Sequence, residues 1–170
     1  MNTTPSGTAS SWREVSSTVP RRVVTRTRSP GAMPSRAIVP PGEEPDAEYP
    51  LVLTTGRQLE HWHTGAMTRR AAVLDAIEPE AVACLSPADL RRLGIAPGDT
   101  IRVSTRRGAI ELKARSDAAL QPGLVFIPFC YAEAAANVLT NPQLDPIGKI
   151  PEFKFCAAKV EPVRPAVAAE

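Results

Sequence analysis

From Leu51 onward the apolar residues fall in short runs of strand length, each closed by a turn residue, with no regular helix after each strand. That pattern excludes a doubly wound sheet, whose parallel strands need helical crossovers, and predicts a compact, mainly β barrel with a few short helices. Leu51–Thr55 reads as a buried strand stopped by Gly56, and Val82–Leu85 as a second. Ser86 is a good helix cap, Pro87 suits the first helical position, and Asp89 sits near the positive end of the dipole. The helix they open runs through Leu90 and Leu93 and stops at Gly94. Pro97 and Gly98 make a turn, after which Thr100–Ser104 and Ala109–Ala114 alternate as the arms of a β-hairpin around Arg106–Gly108. Leu124–Ile127 is a continuous apolar strand after the Pro122–Gly123 turn, and Phe153–Val160 reads as the closing strand. Two further helices are expected, at Met67–Ile77 with Thr64 or Thr68 as cap, and across Ala132–Leu139.

Residues 1–45 are different in kind, being rich in Ser, Thr, Pro and Arg without helical or strand periodicity. The 18 prolines of the chain are about twice the usual share of roughly 5%. Such a stretch cannot bury enough apolar surface to offset its ordering entropy, so it is expected to be a disordered tail. Through Gly42 it holds six arginines against the single acid Glu14, which leaves a docking or RNA-binding arm as the other reading. The barrel is expected over 46–162, with a second disordered tail over 163–170.

A formal charge of +2 over 170 residues does not provide the concentrated basic face of a nucleic-acid module. Cys84, Cys130 and Cys156 lie too far apart for the short paired spacings of zinc or iron–sulfur sites, and read as small buried hydrophobes in a reducing compartment. No run reaches the roughly 20 apolar residues of a membrane span. No apolar core follows Arg21–Arg22, so twin-arginine export is not expected and a cytoplasmic location is.

The stretch Thr54–Arg70 packs three arginines, two histidines, a tryptophan and two glycines directly after a buried strand, where loops commonly read ligands. Gly56 would let the backbone approach a ligand, Arg57 can donate a forked pair of bonds to phosphate, and Trp62 offers a face to a flat ring. The expected ligand is anionic at one part and planar at another. Two other readings of the loop stay open: His61 and His63 as a metal pair, and the whole segment as packing residues of a capping loop.

Tyr49–Arg70, followed in order by Val103–Gly108, resembles the C-terminal domain of the molybdopterin oxidoreductases, and the likeness runs from about Glu43 to Pro162. The His61–Gly65 loop is similar to those of periplasmic nitrate reductases and NAD-linked formate dehydrogenases, while Leu139–Pro146 and Lys149–Cys156 look like the formate dehydrogenase form. The resemblance implies a double-psi β-barrel and a bis(molybdopterin guanine dinucleotide) cofactor carrying molybdenum or tungsten. It places cofactor contacts on Thr55, Gly56, Arg57, Gln58, Leu59, Glu60, His61, Trp62, His63 and Thr64, with Asn137 and Lys154 adding to them. It also places Phe129 near a substrate funnel.

In such enzymes the metal group carries the oxidation and the protein binds and orients it. The resemblance implies that the metal ligand and its neighbouring histidine and arginine sit on other domains, so no catalytic residue is expected in this chain. The expected partners are the remaining domains or subunits of a formate dehydrogenase. The rival readings are a barrel-shaped interaction module and a cofactor domain of the nitrate reductase kind.

Overall fold

The computed structural model describes residues 41–146 and 148–163. The tails expected at 1–45 and 163–170 therefore lie almost wholly outside the described residues. Six strands close into a barrel: β1 (Leu51–Gly56), β2 (Val82–Leu85), β3 (Thr100–Thr105), β4 (Gly108–Ser116), β5 (Leu124–Pro128) and β6 (Cys156–Pro162). Around the ring the order is β1-β5-β2-β4-β3-β6. The pairs β1–β5 and β2–β4 are parallel and the others antiparallel. Closure gives each strand a partner on both sides, which leaves no open edge.

Alternation along the strands fills the interior. Leu51, Leu53, Ile101, Val103, Val125, Ile127 and Ala158 point inward and are fully or almost fully buried, while Arg102 between two of them is exposed. The hairpin β3–β4 has the expected register, with Val103 opposite Ile110 and Thr105 opposite Gly108 at the turn.

The helix α2 (Pro87–Leu93) begins and ends as its sequence predicts. Ser86 Oγ accepts from the Asp89 amide at 3.1 Å and donates to Asp89 Oδ2 at 2.8 Å. Gly94 closes the helix with a left-handed φ of 66°. Asp89 Oδ2 also accepts from the Gly123 amide at 2.7 Å, tying the helix to the turn before β5.

Three expectations are corrected. Met67–Ile77 is not one helix, because Ala71 is extended (φ −88°, ψ 104°) and separates a 3-10 turn at Thr68–Arg70 from α1 (Ala72–Ile77). Residues six apart on a continuous helix face different ways, and the break lets Arg69 Nε reach Asp75 Oδ1 at 2.9 Å. Ala132–Leu139 forms only a 3-10 turn at Ala136–Val138. Its buried positions Ala134 and Ala136 are two apart and cannot share a helix face, and the Leu139 carbonyl is taken by Thr105 and Arg107 from across the barrel end. The last strand starts at Cys156 rather than Phe153, because the Phe153 carbonyl accepts from Thr55 Oγ1 at 2.7 Å and is not part of a ladder.

Glu43, expected in the tail, instead contributes to the barrel. Its carboxylate accepts from Arg107 Nη1 and Nη2 at 2.7 Å each, from Arg106 Nη1 at 3.0 Å and from the Ala157 amide at 2.9 Å. Arg106 also pairs with Asp46 and lies 4.9 Å from the centre of the Tyr49 ring.

Candidate functional site

Strand β1 delivers the arginine- and histidine-bearing loop to one end of the barrel. Thr55 and Gly56 are its buried root, and Lys154 donates to the Thr55 carbonyl, so the loop root and the segment before β6 meet. A Cβ at position 56 would lie 2.3 Å from the Phe126 ring on the paired strand β5, so packing against Phe126 by itself requires glycine there.

Beyond the root, the side chains divide. Arg57, Leu59, Trp62, His63 and Thr64 are exposed, Gln58 and Glu60 are half-buried and bonded to one another at 2.8 Å, and His61 is buried. The Arg57 guanidinium lies 6.0 Å from the centre of the Trp62 ring. Among the described residues it has no carboxylate partner. His63 adopts a left-handed φ of 52°, a conformation that costs a non-glycine residue about 1–2 kcal/mol, and its ring meets Phe129 edge-on at 5.3 Å. The turn is held by the Gly65 amide donating to the Trp62 carbonyl and the Trp62 amide donating to Thr68 Oγ1, both at 2.9 Å. Gly65 is needed here, since a Cβ would lie 2.7 Å from the Cys130 carbonyl and its φ is 74°. Beside it, Thr64, Gly65, Ala66, Arg69, Arg70, Cys130 and Ala132 line a surface cavity of about 270 Å³.

The loop's arginines are not equivalent. Arg69 bonds both oxygens of Glu133 at 2.6 and 2.7 Å and Asp75 at 2.9 Å, and lies 4.8 Å from the centre of the Tyr131 ring. The Glu133 pairing outweighs the opposing effect of burial and raises the Arg69 pKa further. Arg69 is consumed in holding the segment together, whereas Arg57 and Arg70 remain exposed.

His61 Nε2 is 2.9 Å from the Glu78 carbonyl, and Tyr131 donates its hydroxyl to the same oxygen at 3.1 Å. Burial pushes the Tyr131 phenol well above its ordinary pKa, which keeps it a donor. Tyr131 and the Glu78 carbonyl had no sequence signal, because a backbone acceptor leaves no trace in composition. His61 is thus buried with Nε2 against the Glu78 carbonyl, while His63 is exposed. Among the described residues no group of three or more His, Cys, Asp or Glu side chains gathers as a metal site.

Lys154 and Phe129 are thus brought to the loop. Asn137 is exposed in the 3-10 turn, where its carbonyl accepts from the Thr140 hydroxyl at 3.1 Å. No hydrogen bond or ring contact among the described residues joins Asn137 to the loop. All three cysteines are buried, and burial raises their thiol pKa values, which suits packing rather than reactivity. No helix among the described residues is long and apolar enough to cross a membrane.

Residues 51–157, from the first strand of the barrel into the last, match the family model described as the molydopterin dinucleotide binding domain. The chain belongs to this family. The alpha subunit of F420-dependent formate dehydrogenase 1 from Methanococcus maripaludis is 47% identical over 123 residues, 72% of this chain and 18% of that protein. Periplasmic nitrate reductase from Desulfovibrio desulfuricans is 44% identical over 118 residues, 69% of this chain and 16% of that protein. Among solved structures, acetylene hydratase from Pelobacter acetylenicus superposes with a TM-score of 0.61 at 25% identity, covering 67% of this chain and 18% of that one. The chain therefore spans less than a fifth of the length of these relatives.

Proposed function

We propose that the barrel is the cofactor-binding domain of a larger formate-oxidising enzyme and holds a bis(molybdopterin guanine dinucleotide) through its β1 loop. The observation that carries this reading is Arg57, a guanidinium without a carboxylate partner among the described residues, stationed beside the exposed Trp62 ring at the mouth of β1. The donor set suits the ligand: the Arg57 fork for pyrophosphate oxygens, the Trp62 face for a flat heterocycle, and Lys154 as a mobile charge at the loop root. Thr55–Thr64 and Lys154 form the proposed contact set. Asn137 would add an amide that both donates and accepts, and Phe129, packed on His63, would border the substrate approach.

When bound, the group supplies the redox chemistry that takes two electrons and a proton from formate to leave carbon dioxide. This chain's share is to bind, orient and exclude water. Its proposed partners are the remaining domains or subunits of the enzyme, which would provide the molybdenum or tungsten ligand and the electron acceptor. The resemblance pointed to the NAD-linked branch, whereas the formate dehydrogenase relative is named for F420. The parallel pairs β1–β5 and β2–β4 support the double-psi form of the barrel. A cytoplasmic site completes the proposal.

GDP carries the diphosphate and guanine of the dinucleotide and serves as the probe. Equilibrium dialysis of the chain should show GDP bound more tightly than guanosine, with Arg57→Ala about tenfold weaker, the scale of a lost charge-assisted pair. Equal binding by the variant, or none by the parent chain, would sink the reading.

The interaction-module reading is favoured by one observation. Helix α1 has no buried residue, and Val73 and Ile77 are 76% and 57% exposed on it. A covering partner and a bound dinucleotide are compatible, and the rest of the enzyme would supply the cover. The basic arm considered at 1–42 lies almost wholly outside the described residues.

A further inference from the structure

The family resemblance places His61 among the cofactor contacts, and its burial and its partner point to a further task. The imidazole is 1% exposed, its Nε2 faces the Glu78 carbonyl, and its Nδ1 is buried without a hydrogen-bond partner among the described residues. A carbonyl oxygen can only accept, so Nε2 carries a proton and the ring is held through that one nitrogen. Its edge-on packing against Tyr131 at 5.8 Å fixes the ring plane.

The acceptor lies at a junction. Glu78 is the residue that ends α1, and its carbonyl takes two donors, one from the β1 loop and one from the segment after β5. Arg69 closes the same assembly from the other side, over the Tyr131 ring and onto Glu133. Leu59, Trp62 and His63 around His61 in the loop are exposed, and His63 has a backbone conformation that must be held against its intrinsic preference.

We propose that His61 is a positioning residue: by donating Nε2–H to the Glu78 carbonyl it pins the middle of the loop inward, so that Arg57, Trp62 and His63 are presented outward in a fixed arrangement. This deepens the reading of the loop as a dinucleotide site and rests on it for the ligand, but not for the conformational claim. Glutamine can place its amide N–H near the position of Nε2, whereas leucine fills the space and offers no donor.

Trp62 reports the arrangement directly. The sequence holds two tryptophans, Trp12 and Trp62, so a Trp12→Phe background isolates the second. In that background His61→Leu should alter acrylamide quenching of Trp62 without ligand and weaken GDP binding about tenfold in equilibrium dialysis. His61→Gln should return both towards the parent. A packing role alone would lower the unfolding midpoint of His61→Leu while leaving quenching and affinity at the parent values at a temperature where both are folded, and that result overturns the proposal. So does a glutamine variant that behaves like the leucine one. Failure of the parent chain to bind GDP removes the dinucleotide reading, and the quenching comparison then decides the positioning role by itself. Should His61→Leu not fold, His61→Asn, whose shorter amide does not reach the Glu78 carbonyl, takes its place; unchanged Trp62 quenching there also overturns it.

Discussion

Glu43 grips Arg107 through two parallel hydrogen bonds of 2.7 Å, and by doing so fastens the approach to β1 over the turn between β3 and β4. Glu43 is 12% exposed in its side chain and Arg107 22%, so the pair is largely withdrawn from water. Arg107 passes the connection on to the Leu139 carbonyl at 2.9 Å. Glu43→Gln should therefore destabilise the barrel by about 1–3 kcal/mol, the range for hydrogen bonds to charged groups, read as a lower urea midpoint at neutral pH.

The same contact predicts an acid dependence. Burial alone would raise the Glu43 pKa, but hydrogen bonds from Arg107, Ala157 and Arg106 outweigh it and hold the carboxyl below its ordinary 4.5. A carboxyl depressed in the folded state stabilises fully above its unfolded value, and that contribution is lost as pH falls through the folded value. Stability should thus be flat above about pH 5.5 and decline below about pH 4.5. Asp89 and Glu133 shift in the same direction, so Glu43→Gln should make the decline shallower without abolishing it. Urea titrations between pH 7 and pH 3 measure the slope.

Gly56→Ala should be costly although the site is a strand end. The added methyl would meet the Phe126 ring at 2.3 Å, and overpacking of this kind costs about 1–3 kcal/mol. Pairing it with Phe126→Leu should recover part of the loss, which a double-mutant cycle in urea would read.

Arg57 and Arg69 should separate binding from stability. Arg57→Ala is expected to leave the unfolding midpoint within error and weaken nucleotide binding. Arg69→Ala should lower stability by about 1–2 kcal/mol, since it leaves Glu133 and Asp75 without their cation. Denaturation and dialysis on both variants distinguish them.

Ser86→Ala removes both the cap of α2 and a donor to the buried Asp89, and should cost about 1–2 kcal/mol by urea denaturation.

The fold was legible where local chemistry decided the outcome. Ser86, Pro87 and Gly94 bound α2, and the alternation of Ile101 and Val103 set the hairpin arm, because capping and two-residue periodicity are written into neighbouring positions. It was not legible where distant partners intervene. Ala132–Leu139 has helical composition, yet the Leu139 carbonyl is claimed by Thr105 and Arg107, more than 30 residues earlier. The candidate loop was visible through its crowding of arginine, histidine and tryptophan. Which of those side chains turn inward was not, since His61 is buried against a backbone oxygen at Glu78 and the ring of Tyr131.

The order of strands around the ring also governs when the ring can exist. β1 is flanked by β5 and β6, so the barrel's first strand has no neighbour until β5 has been synthesised and only one until β6 has been. Pairings of such long sequence separation form slowly because the intervening chain must be closed first. A growing polypeptide would carry the hairpin early and complete the support of the β1 loop last, so a chain ending before Cys156 would have the loop residues and no closed barrel to hold them.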